Sequence, residues 1–176
     1  MQLPLGAVNS KAFATAISPW VITMDALEAC RSGDMLPRKH PQGLKHLEVS
    51  DNKNYEISLQ ADVIREGRTV TICRSSFLSS YWTFSQYIAQ QSTSCCGLNP
   101  GDLLASGTIS GGGLGANGCL LELSAPNSST FPWPDGSAGG YLKDGDVVQL
   151  SGKTNVQGLG IGVCSNEIKP SRTHVS

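Results

Sequence analysis

The stretch Pro100-Gly101-Asp102-Leu103-Leu104-Ala105-Ser106-Gly107-Thr108-Ile109-Ser110-Gly111 says more about the fold than any other part of the sequence. A Pro-Gly-Asp turn leads into an apolar segment, which ends at a Gly-Thr pair and a glycine-rich loop. Turn residues restrict the backbone geometry, and glycines allow a backbone to approach a ligand closely. We therefore predict a strand over residues 103–108, followed by a glycine-rich loop that lies next to a pocket.

The segment that follows places one carboxylate, Glu122, among leucines. Its alternation predicts a strand over residues 119–124, with Leu120 and Glu122 on the same face. A carboxylate within an apolar strand is costly unless it is paired or used. Glu122 is therefore either a functional carboxylate, or a structural one that lies at a sheet edge or pairs with Arg74 or Lys11. The residues themselves favour neither alternative.

Composition and charge exclude several classes of protein. The 176 residues suit one domain, and 20 glycines and 9 prolines favour strands and turns over long helices. A net charge of -1 provides no footprint for nucleic acid or an anionic membrane surface. Neither a membrane-spanning run nor a signal peptide is visible, so we expect a cytoplasmic protein. The six cysteines form no C-x-x-C pair, and we expect them to be reduced thiols.

Periodicity predicts a mainly β (α+β) fold with one main helix. The clearest strand is 55–63, where apolar and polar residues alternate, and a turn at 65–67 leads to a return strand at 69–74. A helix capped by a serine is predicted at roughly 80–91. The remaining predicted segments are strands at 17–23, 147–151 and 159–164, a short helix at 25–30, a loop at 31–45 and a tail after Pro170.

Two familiar motifs fail on their context. Residues 113–118 fit the G-x-G-x-x-G pattern, but a dinucleotide fold requires a helix to follow, and the next residues alternate like a strand. Asp144 and Asp146 have the chemistry to bind calcium, yet two carboxylates beside a glycine are far more often turn formers. No G-x-S-x-G elbow accompanies the histidines, so a Ser-His-Asp hydrolase is not indicated.

These segments together resemble the fumarylacetoacetate hydrolase family from about Pro4 to Pro170. The matching stretches are Pro4-Leu5-Gly6 with Lys11, Phe13 and Thr15, Ile17-Ser18-Pro19-Trp20-Val21, Met24-Asp25-Ala26-Leu27, Thr71-Ile72-Cys73-Arg74-Ser75, Tyr81-Trp82-Thr83, the Pro-Gly-Asp stretch, Glu122, 142–146 and Cys164. The resemblance implies that residues 1–170 are part of the family's C-terminal catalytic domain, a mixed β-roll, and that 171–176 form a tail.

The resemblance also implies an activity: hydrolysis of a carbon–carbon bond in a β-diketo acid, converting fumarylacetoacetate to fumarate and acetoacetate in tyrosine and phenylalanine degradation. It implies a divalent cation, Mg²⁺ or Ca²⁺, as Lewis acid. By motif position, Glu122 would orient a histidine base, and Thr108 with Gly107 would contact substrate. Lys11, a catalytic candidate, and Thr15 would line the metal and leaving-group pocket.

The sequence departs from the family pattern at several positions. We expect the chain to begin downstream of the family's Glu-x-Glu metal pair and base histidine; Gln2 replaces a tyrosine, and Gln90-Gln91 replaces a histidine pair. We therefore expect little activity from this chain alone. Three hypotheses remain open: a hydrolase completed by further chain, as a homodimer or with a full-length homologue; a non-catalytic interaction module; and a short protein acting on another β-keto substrate.

Overall fold

A four-stranded antiparallel sheet organises the structure, a computed structural model that describes residues 14–32, 44–48, 53–124, 133, 135–137 and 140–171. The strands in chain order are β1 (Arg31–Ser32), β2 (Asn54–Tyr55), β3 (Ile57–Arg65), β4 (Arg68–Ser76), β5 (Val147–Thr154) and β6 (Gly160–Glu167). The large sheet has the order β4-β3-β5-β6, and β1 pairs with β2 in a second antiparallel sheet. Strand residues outnumber helical ones, but the helices and 3₁₀ turns make the fold mixed α and β, with a larger helical share than the predicted mainly β fold.

The predicted hairpin is confirmed and is longer than the sequence indicated. Strand β3 pairs with β4 along its length, because its alternating apolar residues bury one face while its polar residues remain on the other. Glu66 and Gly67 form the turn with φ values of 52° and 75°, a left-handed pair that suits a two-residue hairpin. One extra residue in β4 shifts the register beside Ala61.

The helices are α1 (Met24–Leu27), α2 (Phe84–Ser92) and α3 (Leu120–Leu123), with 3₁₀ turns at Glu28–Cys30, Lys45–Leu47 and Phe77–Ser79. The longest, α2, begins four residues after the predicted start. Its cap is Thr83 instead of a serine, because the Thr83 hydroxyl accepts from the Gln86 N–H while the Gln86 side chain accepts from the Thr83 N–H. This reciprocal capping box fixes where the helix begins.

Three predicted strands are wrong. Residues 17–23 and 103–108 are extended or irregular but pair with no strand in the described part of the chain, and a strand without a ladder partner is not stable. Residues 119–124 contain helix α3 instead. A short apolar run cannot be assigned to strand or helix from its period alone, and here packing decides. Of the predicted loop 31–45, residues 31–32 form strand β1 instead, because they pair with β2, and residues 33–43 lie outside the described part.

Two apolar clusters support the sheet. The first surrounds Tyr55 and Phe77, whose rings stack on Phe84 of α2 with centroids 5.4 and 4.7 Å apart. The second joins Val63 of β3 to Leu123 of α3 and to Trp133.

All six cysteines are free thiols, and none of the described helices is long and apolar enough to cross a membrane.

Candidate active site

Helix α3 sets the direction of Glu122. Leu120 and Leu123 are three residues apart and both pack on the second apolar cluster, so one side of this single turn faces the core. Glu122 occupies the third helical position after the N-cap residue Cys119, where a glutamate can reach back over the helix start. The predicted strand faces are thus replaced by helical ones: Leu123 is buried and Leu120 is partly buried against the second cluster, while the Glu122 carboxylate reaches the Ser110 hydroxyl.

One oxygen of Glu122 is held by two donors. The Ser110 hydroxyl donates to Oε2 at 2.5 Å, and the Gly118 N–H donates to the same oxygen at 3.0 Å. The Gly118 N–H also lies 3.1 Å from the Ser110 hydroxyl oxygen, so the three groups form a closed triangle. Hydrogen bonds to an ionised group are stronger than neutral ones, and the triangle fixes the carboxylate in one orientation.

The glycine-rich loop carries these donors and is anchored at several points. The Arg74 N–H on strand β4 donates to the Gly115 carbonyl at 2.8 Å, and the Gly111 N–H donates to the Ala116 carbonyl at 2.9 Å. Gly118 must be a glycine here, because an added Cβ would lie 2.6 Å from the Ile109 carbonyl oxygen. The loop is therefore held against the edge of the sheet while it presents donors to Glu122.

Glu122 and Thr108 line one open cavity of about 360 Å³. We call it the Glu122 cavity; its lining residues are Ser79, Ser80, Tyr81, Trp82, Tyr87, Ser106, Thr108, Ile109, Ser110 and Glu122. Most of these side chains carry a hydroxyl group, and Glu122 is the single carboxylate among them. The cavity can thus offer many hydrogen bonds to a polar ligand and one charged acceptor.

A hydrogen-bonded turn contributes Ser80, Tyr81 and Trp82 to the lining of the Glu122 cavity. The hydroxyl groups of Ser80 and Tyr87 lie 2.6 Å apart, and the Ser80 hydroxyl donates to the Trp82 carbonyl at 2.9 Å. Beneath the turn, the amide of Asn54 donates to the same Trp82 carbonyl at 3.3 Å. Asn54 is fully buried, so this contact ties the cavity wall to strand β2.

The other predicted site residues have different positions. Gly107 is exposed with a φ of 74°, Thr15 is exposed, and neither lines the Glu122 cavity. Lys11 lies outside the described residues. Arg74, one of the structural partners considered for Glu122, donates instead to the Gln60 side chain at 3.2 Å.

The described residues do not fit the Mg²⁺ or Ca²⁺ that the resemblance implies. Within that part of the chain, no group of three or more His, Cys, Asp or Glu side chains could hold a metal ion. A hard cation takes about six oxygen ligands, whereas the Glu122 cavity supplies one carboxylate whose Oε2 already accepts two hydrogen bonds. We therefore assign no step to a metal here.

Sequence reasoning missed a buried ion pair at the far end of the hairpin. Arg65 Nε and Nη2 donate to the two carboxylate oxygens of Asp146, each at 2.8 Å, and Nη1 donates to Asp135 at 2.7 Å. The guanidinium hydrogen bonds lower the pKa of the Asp146 carboxyl below its usual value, as does the bond from the Lys143 N–H. Asp146 thus closes a turn, as predicted, and also neutralises Arg65. An arginine at the end of an alternating strand was the available signal.

The sequence is similar to a known protein family over all but its last seven residues. The family pattern described as "Fumarylacetoacetate (FAA) hydrolase C-terminal" matches residues 1–169. Fumarylacetoacetase of Arabidopsis thaliana is 39% identical over 173 residues, covering 96% of this chain and 40% of that protein. The Bos taurus and Homo sapiens fumarylacetoacetases are 38% and 36% identical, each covering 96% of this chain and 41% of the relative. The chain thus spans about two fifths of the length of these relatives.

Proposed function

Because this chain belongs to the fumarylacetoacetate hydrolase family, we propose that it forms part of the active site of a carbon–carbon bond hydrolase. The proposed substrate is a β-diketo acid, fumarylacetoacetate, and the products are fumarate and acetoacetate. One observation carries the proposal: Glu122 is fixed through Oε2 at the edge of a cavity that Thr108 also lines. A carboxylate held in this way is preorganised for a charged task.

The proposed role of Glu122 is to orient a histidine base. In the reaction, the water oxygen bonds to a carbonyl carbon, the adjacent carbon–carbon bond breaks, and the departing carbanion takes up a proton. Oε1 of Glu122 has no hydrogen-bond partner among the described residues, so it can accept an imidazole N–H and fix the ring tautomer. His46, the one histidine among the described residues, hydrogen-bonds Gln90 instead, and we propose that the base is supplied by another part of the complete site.

The finer assignments are proposals on the family likeness. We propose that Thr108 and Gly107 contact substrate, that Lys11 stabilises the departing carbanion with Thr15 beside it, and that Mg²⁺ or Ca²⁺ takes part in the complete enzyme. The four-stranded sheet would then be one section of the family's mixed β-roll.

We propose a second copy or a full-length homologue as the partner that completes the site. Three large apolar side chains within five residues support this: Ile17, Trp20 and Val21 are 61%, 74% and 90% exposed. Clustered exposed apolar groups commonly mark an interaction surface. Light scattering should give a mass above that of one chain, and replacing Trp20 and Val21 by serine should return the mass of a monomer.

A complementation assay tests the proposed role of Glu122. The purified 176-residue chain should hydrolyse little fumarylacetoacetate with Mg²⁺ or Ca²⁺, because losing a base and preorganised charges costs several kcal/mol of barrier. Activity should appear when it is mixed with a full-length fumarylacetoacetase that lacks its own glutamate at the corresponding position. Glu122→Gln should fail to complement. Turnover by the chain alone near that of full-length relatives, or complementation by Glu122→Gln, would contradict the proposal.

The same assay distinguishes a residue that positions Glu122 from a residue that only lines the cavity. Ser110→Ala removes one donor to Glu122, and we expect a loss of about tenfold in kcat with little change in KM, as for other groups that orient a functional residue. Ser106→Ala is the matched control, since its hydroxyl lines the cavity but donates to the Gly107 carbonyl. Equal effects of the two variants would show that Ser110 does not act through Glu122.

A further inference from the structure

A second polar cavity lies on the face of the large sheet opposite the apolar clusters. Its volume is about 250 Å³, and we call it the sheet-face cavity. Buried Ile57 and Val63 mark the core face of β3, whereas the intervening Ser58 is exposed. The lining residues are Ser58, Leu59, Gln60, Arg74, Ser75, Ser151 and Lys153.

The strand register brings two basic side chains to this cavity, one from each of the strands that flank β3. Gln60 lies between Arg74 on β4 and Ser151 on β5, and Ser58 lies beside Lys153 on β5. The two basic residues are two strands apart and two positions offset along the strands, which separates their Cα atoms by roughly 12 Å. Both side chains are long enough to converge above the strand between them.

A hydrogen-bonded relay holds the guanidinium in place. The Gln60 amide nitrogen donates to both carboxylate oxygens of Asp62, at 3.0 and 2.8 Å. The Gln60 amide oxygen in turn accepts from Arg74 Nε at 3.2 Å, and the Thr71 hydroxyl oxygen accepts from Nη2 at 3.4 Å. Neutral acceptors thus orient Arg74 without neutralising it, which leaves its remaining N–H groups for a ligand.

The charges of this cavity are not compensated within the described residues. Neither Arg74 nor Lys153 has a carboxylate within ion-pair distance there, unlike Arg65, which pairs with two carboxylates. Glu56, the residue before β3, accepts from the Asn155 amide at 2.5 Å. The hydroxyl groups of Ser58 and Ser151 have no hydrogen-bond partner in the described part of the chain. The lining of the cavity therefore contains two cationic side chains, two hydroxyl groups and no carboxylate. The carboxylates of Asp62 and Glu56 lie outside this lining, and each accepts from a neutral amide.

From this arrangement we infer that the sheet-face cavity binds a small dianion with carboxylate or phosphate oxygens. An arginine fork, an ammonium group and hydroxyl donors together match the several acceptor oxygens of such an ion. A cation is disfavoured, because the lining residues that it would touch include two cationic side chains and no carboxylate. The inference is independent of the proposed hydrolase function, since it uses none of the residues of the Glu122 cavity.

An NMR titration of the ¹⁵N-labelled chain tests the inference with two probes, inorganic phosphate and succinate, and with sodium chloride at matched ionic strength. We expect saturable shifts at residues 58, 60, 74, 151 and 153, with a Kd on the order of 1 mM at low salt. Arg74→Gln and Lys153→Gln should each weaken binding about tenfold. The control Arg68→Gln, which removes an exposed arginine from the same strand, should leave Kd unchanged within about twofold.

Each outcome decides the inference. Saturation by phosphate alone, by succinate alone or by both supports it and identifies the chemical source of the oxygens. Lys153→Arg should retain binding, which guards against a variant that has merely lost its fold. Shifts that do not saturate, that chloride reproduces, or that Arg68→Gln weakens as much as Arg74→Gln would overturn it.

Discussion

Replacing Asp146 by asparagine should destabilise the protein more than any exposed charge change. Arg65 is 6% exposed and Asp146 1% exposed, and two bonds of 2.8 Å join them. Removing one partner of a buried ion pair costs about 3–5 kcal/mol, because the other charge stays buried. Asp135 still accepts from Arg65 at 2.7 Å, and asparagine keeps one acceptor, so we expect the lower end, about 3 kcal/mol.

Urea unfolding followed by circular dichroism measures this change. With a slope of about 2 kcal/mol per molar urea, a loss of about 3 kcal/mol moves the midpoint down by about 1.5 M. The matched control is Glu28→Gln, which breaks the exposed pair between Glu28 and Arg31 and should cost less than about 1 kcal/mol. A loss for Asp146→Asn no larger than that of the control would refute the reasoning that burial makes this pair expensive to break.

Three further predictions concern pH, the glycine loop and helix α2. Because the guanidinium bonds lower the pKa of Asp146 in the folded state, its contribution to stability is present above about pH 4 and lost on further acidification; Asp146→Asn should flatten this part of a plot of unfolding free energy against pH, and an unchanged slope would contradict it. Gly118→Ala should cost about 1–3 kcal/mol in urea unfolding, because its Cβ meets the Ile109 carbonyl at 2.6 Å, whereas Gly112→Ala, with nothing within 4 Å, should cost less; equal costs would argue against the clash. Thr83→Ala should lower the unfolding free energy by about 1 kcal/mol through loss of the capping box, while Thr83→Ser should retain most of it, and a neutral alanine variant would show that the cap is not needed.

Local signals predicted the elements whose structure depends on local chemistry. The hairpin of β3 and β4 follows from a two-residue alternation and a glutamate–glycine turn, both of which lie within 20 residues. The last two strands of the sheet, β5 and β6, lie where short apolar runs predicted them. The predicted start of helix α2 is wrong, because the capping box at Thr83, and neither of the two serines before it, sets the first residue of the helix.

Only some residues of the candidate site could be identified from the sequence. The resemblance to the fumarylacetoacetate hydrolase family identified Thr108 and Glu122 as candidate site residues, and both line the same cavity in the structure. It did not name Ser110 and Gly118, which hold the carboxylate, because their contact requires a loop to fold back onto a helix start. The complementation assay tests the roles proposed for these residues.

By itself, the sequence determined the central hairpin, the last two strands of the sheet and the family, because alternation, turn residues and motif order are all readable along the chain. Only the tertiary structure decided that residues 120–123 are helical and which way Glu122 faces. The physical reason is that a run of four residues has no strong preference of its own. The packing of buried Leu123 and partly buried Leu120 on the cluster that contains Val63, nearly 60 residues away in the chain, outweighs the strand-like pattern, and the carboxylate lies toward Ser110.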